Sequence, residues 1–157
     1  MFNVGLKGLG LGGAALPAAD STIETALYRI LTEDASVYDS VEGRIYPVIV
    51  PQNAAMPAIT YQQVSGPRVS SMDGPMGLAY INFQVNCWDD TYGMTRSLSE
   101  VVRKCLDGYS GMVNSRVIKA IQLQTEGDMP EIDESTEELT RFGKYLEFTV
   151  RFEESLI

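Results

Sequence analysis

Residues 72–111 read MDGPMGLAYINFQVNCWDDTYGMTRSLSEVVRKCLDGYSG, and the fold follows from this stretch. Asp73-Gly74-Pro75 is chemistry for a sharp reversal ahead of a strand. From Tyr80 the pattern alternates, with Ile81, Phe83, Val85 and Cys87 on one side and Asn82, Gln84 and Asn86 on the other. A period of two describes a strand with one buried face. Trp88 closes the strand, and Asp89-Asp90-Thr91 supplies N-cap candidates with negative charge where a helix dipole favours it. Met94, Leu98, Val101, Val102 and Cys105 recur at helical spacing up to a stop at Gly108. A strand feeding directly into a helix, each with an apolar face, makes one packing unit.

Working outward, Ser21-Thr22-Ile23-Glu24 is a capping box. It opens a three-turn helix whose Ile23, Ala26, Leu27, Ile30 and Leu31 share a face. Residues 34–43 read as a polar connection. Arg44 to Pro51 is apolar and β-branched, but Pro47 withholds a ladder donor, which fits an edge strand. Ala58 to Ser65 forms a hairpin with the long strand across a long connection, Gly66 to Pro75, and loops of that length usually have a task. Arg116 to Gln124 reads as a strand with Val117, Ile121 and Leu123 inward. Glu126 to Glu138, interrupted by Pro130, reads as an acidic loop. Arg141 to Phe152 alternates again, with Leu146, Phe148, Val150 and Phe152 inward. The expectation is an α+β fold, a mainly antiparallel sheet with two helices packed on one face. Residues 1–20 form a flexible glycine-rich arm, and residues 21–157 a single domain.

The 157 residues are 45% hydrophobic and carry a formal charge of −9. Glu126, Asp128, Glu131, Asp133, Glu134, Glu137 and Glu138 supply most of it, with no Lys or Arg among them. That argues against a nonspecific DNA coat, which needs positive faces. One-signed charge instead suits a channel wall or surface loop past which DNA slides. No apolar run is long enough to cross a bilayer. Gly8, Gly10 and Gly13 mimic a dinucleotide fingerprint but lack a preceding strand, and Pro17 interrupts the segment after them. The same segment is too diluted by glycine for a secretory signal. Its Phe2, Val4, Leu6, Leu9 and Leu11 have no local core to enter.

No constellation for catalysis emerges. Histidine is absent, and Cys87 and Cys105 fall on apolar faces. Asp89-Asp90 is explained by capping, and Asp128-Met129-Pro130 breaks the EF-hand pattern, so no catalytic, cofactor or metal residues are assigned. Loose Mg²⁺ or Ca²⁺ binding by the acidic segment across a subunit boundary is the remaining cation reading.

An ordered series of short motifs carries a family resemblance. It comprises Arg44-Ile45-Tyr46-Pro47, Pro51-Gln52, Pro57 with Tyr61, Asp73-Gly74-Pro75-x-Gly77-Leu78, Gln84 to Trp88, Asp90-Thr91-Tyr92 and Leu106-Asp107-Gly108. Over Ser21 to Ile157 the chain resembles the tail completion or tail terminator proteins of long-tailed bacteriophages and gene-transfer particles. The resemblance implies a structural virion protein and not an enzyme. It implies a six-subunit ring at the phage neck, assembled in the host cytoplasm, that caps the tail tube and meets the head-tail connector protein. Double-stranded DNA passes through such a ring without sequence-specific binding, and no membrane is involved. The glycine-rich arm and the long acidic segment depart from that pattern. Ring closure joins unlike patches, for which the candidates are Arg68, Met72 and Asp73 in the hairpin loop, Tyr46 and Val48 at the edge, and Leu6, Leu9 and Leu11 in the arm. The alternatives are a small-ligand-binding regulatory α+β domain or another head-tail connector ring.

Overall fold

A computed structural model describes residues 22–66, 78–133 and 135–153. Helix α1 (Ile23–Glu33) begins at Thr22, whose hydroxyl accepts from the Thr25 amide at 3.2 Å. The cap therefore falls one residue later than the sequence box suggests, and Ser21 lies outside the described residues. Asp34 ends α1 and at once caps a second helix, α2 (Ala35–Val41), by accepting from the Val37 amide at 3.0 Å. The expected polar connection is thus helical. Only Val37 and Val41 face the core, both fully buried, and two apolar residues are too few to print a helical period.

Strand β1 (Ile45–Pro47) is a three-residue edge strand parallel to β2 (Ala58–Ser65). Every other neighbour is antiparallel, in the order β1-β2-β3-β6-β5-β4. Strand β3 (Leu78–Asp89) leads into α3 (Tyr92–Leu106), capped by Thr91. Beyond Gly108, which has φ +85°, come the short β4 (Gly111–Val113), then β5 (Arg116–Asp133) and β6 (Glu138–Glu153). The expected α+β class and antiparallel sheet hold, with three helices instead of two.

The alternating residues of β3 and β6 form the floor of the core. Phe83 lies opposite Phe148 and Val85 opposite Leu146, all buried against α1 and α3. Burying each such side chain contributes roughly 1.5–3 kcal/mol. Met94, expected on the inner face of α3, is exposed, and Thr95 and Ser99 take the buried positions. Their hydroxyls donate to the Thr91 and Arg96 carbonyls at 2.9 and 2.7 Å, so small polar groups sit in the core without an unmet donor. A bulge between Ile118 and Ala120 lets Ile118 and Ile121 share the inner face, leaving Val117 half-exposed where alternation expects it inward.

The other face of the sheet is held by aromatic rings laid across glycines. Trp88 pairs with Gly143, and Tyr145 with Gly127. A Cβ on Gly143 would stand 2.6 Å from both the Trp88 ring and the Met129 carbonyl oxygen. Beside them, Asn86 and the Trp88 indole both donate to Thr60 Oγ1 at 3.1 Å. Gly143→Ala is expected to cost about 1–3 kcal/mol through overpacking against backbone, read as a lowered thermal midpoint. An unchanged midpoint would show that the ring and the Met129 carbonyl yield freely.

Candidate assembly surfaces

Two edges of one sheet carry the features expected of contact surfaces. At the first, Tyr46 is half-buried within β1, and the chain then turns sharply at Val48. Val48 has φ +64°, a conformation that β-branched residues rarely adopt. The Ile49 amide donates to the Pro47 carbonyl at 2.7 Å across it, closing a γ-turn of the uncommon, strained kind. The turn leaves Val48 64% and Ile49 73% exposed. Strain that presents two bare β-branched side chains to solvent needs a reason outside the local structure. Tyr46, Val48 and Ile49 all fall in the segment legible in the sequence as an edge, Ile45 to Val50; the turn that makes Ile49 the more exposed of the pair is not legible there.

The second edge belongs to β5 and overturns the reading of residues 126–138 as a loop. Residues up to Asp133 are strand, paired with β6, and β6 begins at Glu138. Gly127 is tolerated because Tyr145 fills the space that a side chain would occupy, and Pro130 because an edge strand can spare a donor. The acids are held in a frame. Glu126 accepts from Lys144 Nζ at 3.0 Å, and Asp128 from the Tyr92 hydroxyl at 3.2 Å, on the face toward α3. Glu131 pairs with Arg141 on the other face. Glu137 sits in the connecting turn with φ +58°. Asp133 and Glu138 lie at the strand ends, and Glu134 falls outside the described residues.

Near its start, β5 is sheltered by β4, by the Gly108 amide donating to the Ile121 carbonyl and the Ile121 amide donating to the Tyr109 carbonyl, and by Asp107, whose carboxylate accepts from the Leu123 amide at 3.0 Å. Beyond Leu123 no strand flanks its outer side among the described residues. Ile132, near the tip, is 54% exposed. The remaining candidates, Arg68, Met72, Asp73, Leu6, Leu9 and Leu11, lie outside the described residues.

A family model described as tail completion protein gp17 matches residues 25–140. The chain belongs to this family. It is a structural protein of the phage tail. No curated protein matches the chain by sequence. Among solved structures, a chain described as the virion of a native gene transfer agent particle is similar at a TM-score of 0.66 and 15% identity. The likeness covers 83% of this chain and 94% of that one. A second solved chain is similar at a TM-score of 0.53 and 12% identity, over 86% of this chain and 96% of its own. At such identities the likeness concerns the fold.

Among the described residues no three His, Cys, Asp or Glu side chains cluster as a metal site, and no helix is long and apolar enough to cross a membrane. The two thiols are free. Burial pushes the Cys87 thiol far up, against a small opposing effect of Lys144. Burial, with Asp34 adding, pushes Cys105 up to about 12. Since the thiolate is the reactive form, a disulfide reagent at pH 8 is expected to label neither cysteine in the folded chain and both in urea. A raised folded pKa also means that folding stability falls as pH climbs from the unfolded thiol value of roughly 8.5 toward the folded one, because only the unfolded thiols ionise there. Rapid native labelling of either residue would contradict this placement.

Proposed function

We propose that this tail completion protein is the subunit of a closed ring at the neck of the virion, capping the tail tube and meeting the head-tail connector. Residues 21–157 form the ring-building domain, six copies surround a channel, and double-stranded DNA passes through without sequence-specific contact. The observation that carries the reading is the pair of unlike edges on one sheet that no strand covers among the described residues, β1 with its γ-turn and the outer side of β5 beyond Leu123. Exposed strand edges are templates for pairing with another chain, and proteins ordinarily blunt them. An edge at each end of one sheet permits head-to-tail pairing between copies, a heterologous contact that closes into a ring when the rotation fits. Tyr46, Val48 and Ile49 then meet the neighbour's β5 near Ile132. Glu126, Asp128 and Glu131 are the acidic groups described beside that joint. Asp128, held by a neutral hydroxyl, keeps its negative charge and discourages DNA from sticking, while Lys144 and Arg141 offset Glu126 and Glu131.

The arrangement makes a sharp prediction for native mass spectrometry. Val48→Asp damages one edge and Ile132→Asp the other, so each variant alone is expected to fail to form the six-subunit species. Mixed together they retain one intact joint and should give a heterodimer. Hexamers from either variant alone, or no heterodimer from the mixture, would overturn edge-to-edge closure.

A further inference from the structure

Strand β1 has no main-chain donor to spare for a neighbour. In a parallel ladder the groups that face the partner strand belong to alternate residues. Arg44 and Val48 serve β2 in this way: the Arg44 carbonyl accepts from the Ile59 amide and the Val48 amide donates to the Tyr61 carbonyl, both at 2.9 Å. Ile45 and Pro47 therefore face outward. The Ile45 amide is already given to the Gly43 carbonyl at 2.9 Å, and Pro47 has no amide. The Pro47 carbonyl is engaged by the Ile49 amide in the γ-turn. On the other flank, Pro130 interrupts the open side of β5. A ladder joining the two flanks would lack donors at both prolines.

What the flanks offer instead is side chains. The turn at Val48 holds Val48 and Ile49 in solvent as adjacent β-branched residues. Ile132, exposed on β5, stands on an arm. Strand β3 ends at Asp89, opposite Phe142, whereas β5 and β6 stay paired as far as Asp133 and Glu138. The pairs Glu131–Arg141, Ile132–Leu139 and Asp133–Glu138 thus extend past β3 as a two-stranded hairpin, by roughly 10 Å at the rise of a strand. Glu131 and Arg141 neutralise each other at the base of the arm, and Arg141 also reaches Met56 Sδ at 3.8 Å. The arm carries an uncharged β-branched side chain clear of its own core, and the turn on β1 displays two more.

We propose that neighbouring copies are joined at β1 by side chains alone. Ile132, on the projecting arm of one copy, packs against Val48 and Ile49 of the next, with no main-chain ladder across the joint. The proposal rests on the ring reading above and specifies how its subunits touch. Val and Ile are stiff at χ1, so these residues lose little rotamer freedom on contact. The strained turn then has two effects. It blunts β1 against indiscriminate strand addition, and it aims the side chains that select the correct neighbour.

The test is a double-mutant cycle on the full chain, Ile49→Ala and Ile132→Ala, read as the concentration at which half the chains enter the six-subunit species. Both side chains are exposed, so neither change removes core packing. Each substitution alone is expected to raise that concentration by about fivefold or more, and the pair to fall short of the product of the two effects by about threefold or more. Alanine leaves every main-chain group in place, so a ladder would survive both changes, and an unchanged concentration would overturn the proposal. Effects that simply multiply would show that the two residues do not touch, and would equally overturn it. A wild-type chain that forms no closed species at any concentration would instead bring down the ring reading, and this joint with it.

Discussion

The structure depends on the ladder between β3 and β6. Its register runs without a bulge from Leu78 opposite Glu153 to Asp89 opposite Phe142. The two strands lie some sixty residues apart in the chain, so their pairing must overcome a large loop-closure cost before any contact rewards it. The reward is concentrated on one face, where Ile81, Phe83 and Val85 meet Val150, Phe148 and Leu146 under the helices. A slip of β3 by one residue would turn its Ile81, Phe83 and Val85 to the opposite face and bring Asn82 and Gln84 inward. The opposite face reinforces the same register, because Trp88 can lie flat only where Gly143 is its partner. Once this ladder is set, β2 and β5 add on either side, and the short β1 and β4 close only part of each flank.

Those two central strands, with α1 and α3, were readable in the sequence because burial on a single face stamps a clean period on them. The distal half of β5 was not. Gly127 and Pro130 are loop residues by local chemistry, and only a ring from Tyr145 and an open edge make them acceptable in a strand. Neither condition is visible in residues 126–133 themselves. The bulge at Ile118 likewise shifts the phase of burial by one residue, so strict alternation chose Val117. Helix α2 prints no period in the sequence because it is seven residues long and buries two of them.

The assembly surfaces divide in a similar way. Pro47 disclosed an edge at β1, since a residue without an amide proton belongs where no ladder bond is required. The γ-turn at Val48 that exposes Ile49 is a backbone event with no glycine or asparagine to announce it. The edge of β5 could be seen only after its acidic residues were recognised as strand. Their charge, which read as a solvated loop, is instead held by Lys144, Tyr92 and Arg141. Together these features leave one sheet, among the described residues, with two uncovered flanks of different character, as the proposed head-to-tail ring requires.

The most direct measurement is amide hydrogen exchange on the native chain across a dilution series spanning assembly. Residues 45–50 and 125–133 are predicted to gain protection together, at the concentration where the larger species appears, while the β3–β6 ladder stays protected throughout. Assembly with both segments still exchanging freely would contradict edge-to-edge closure and place the subunit contacts elsewhere on the molecule.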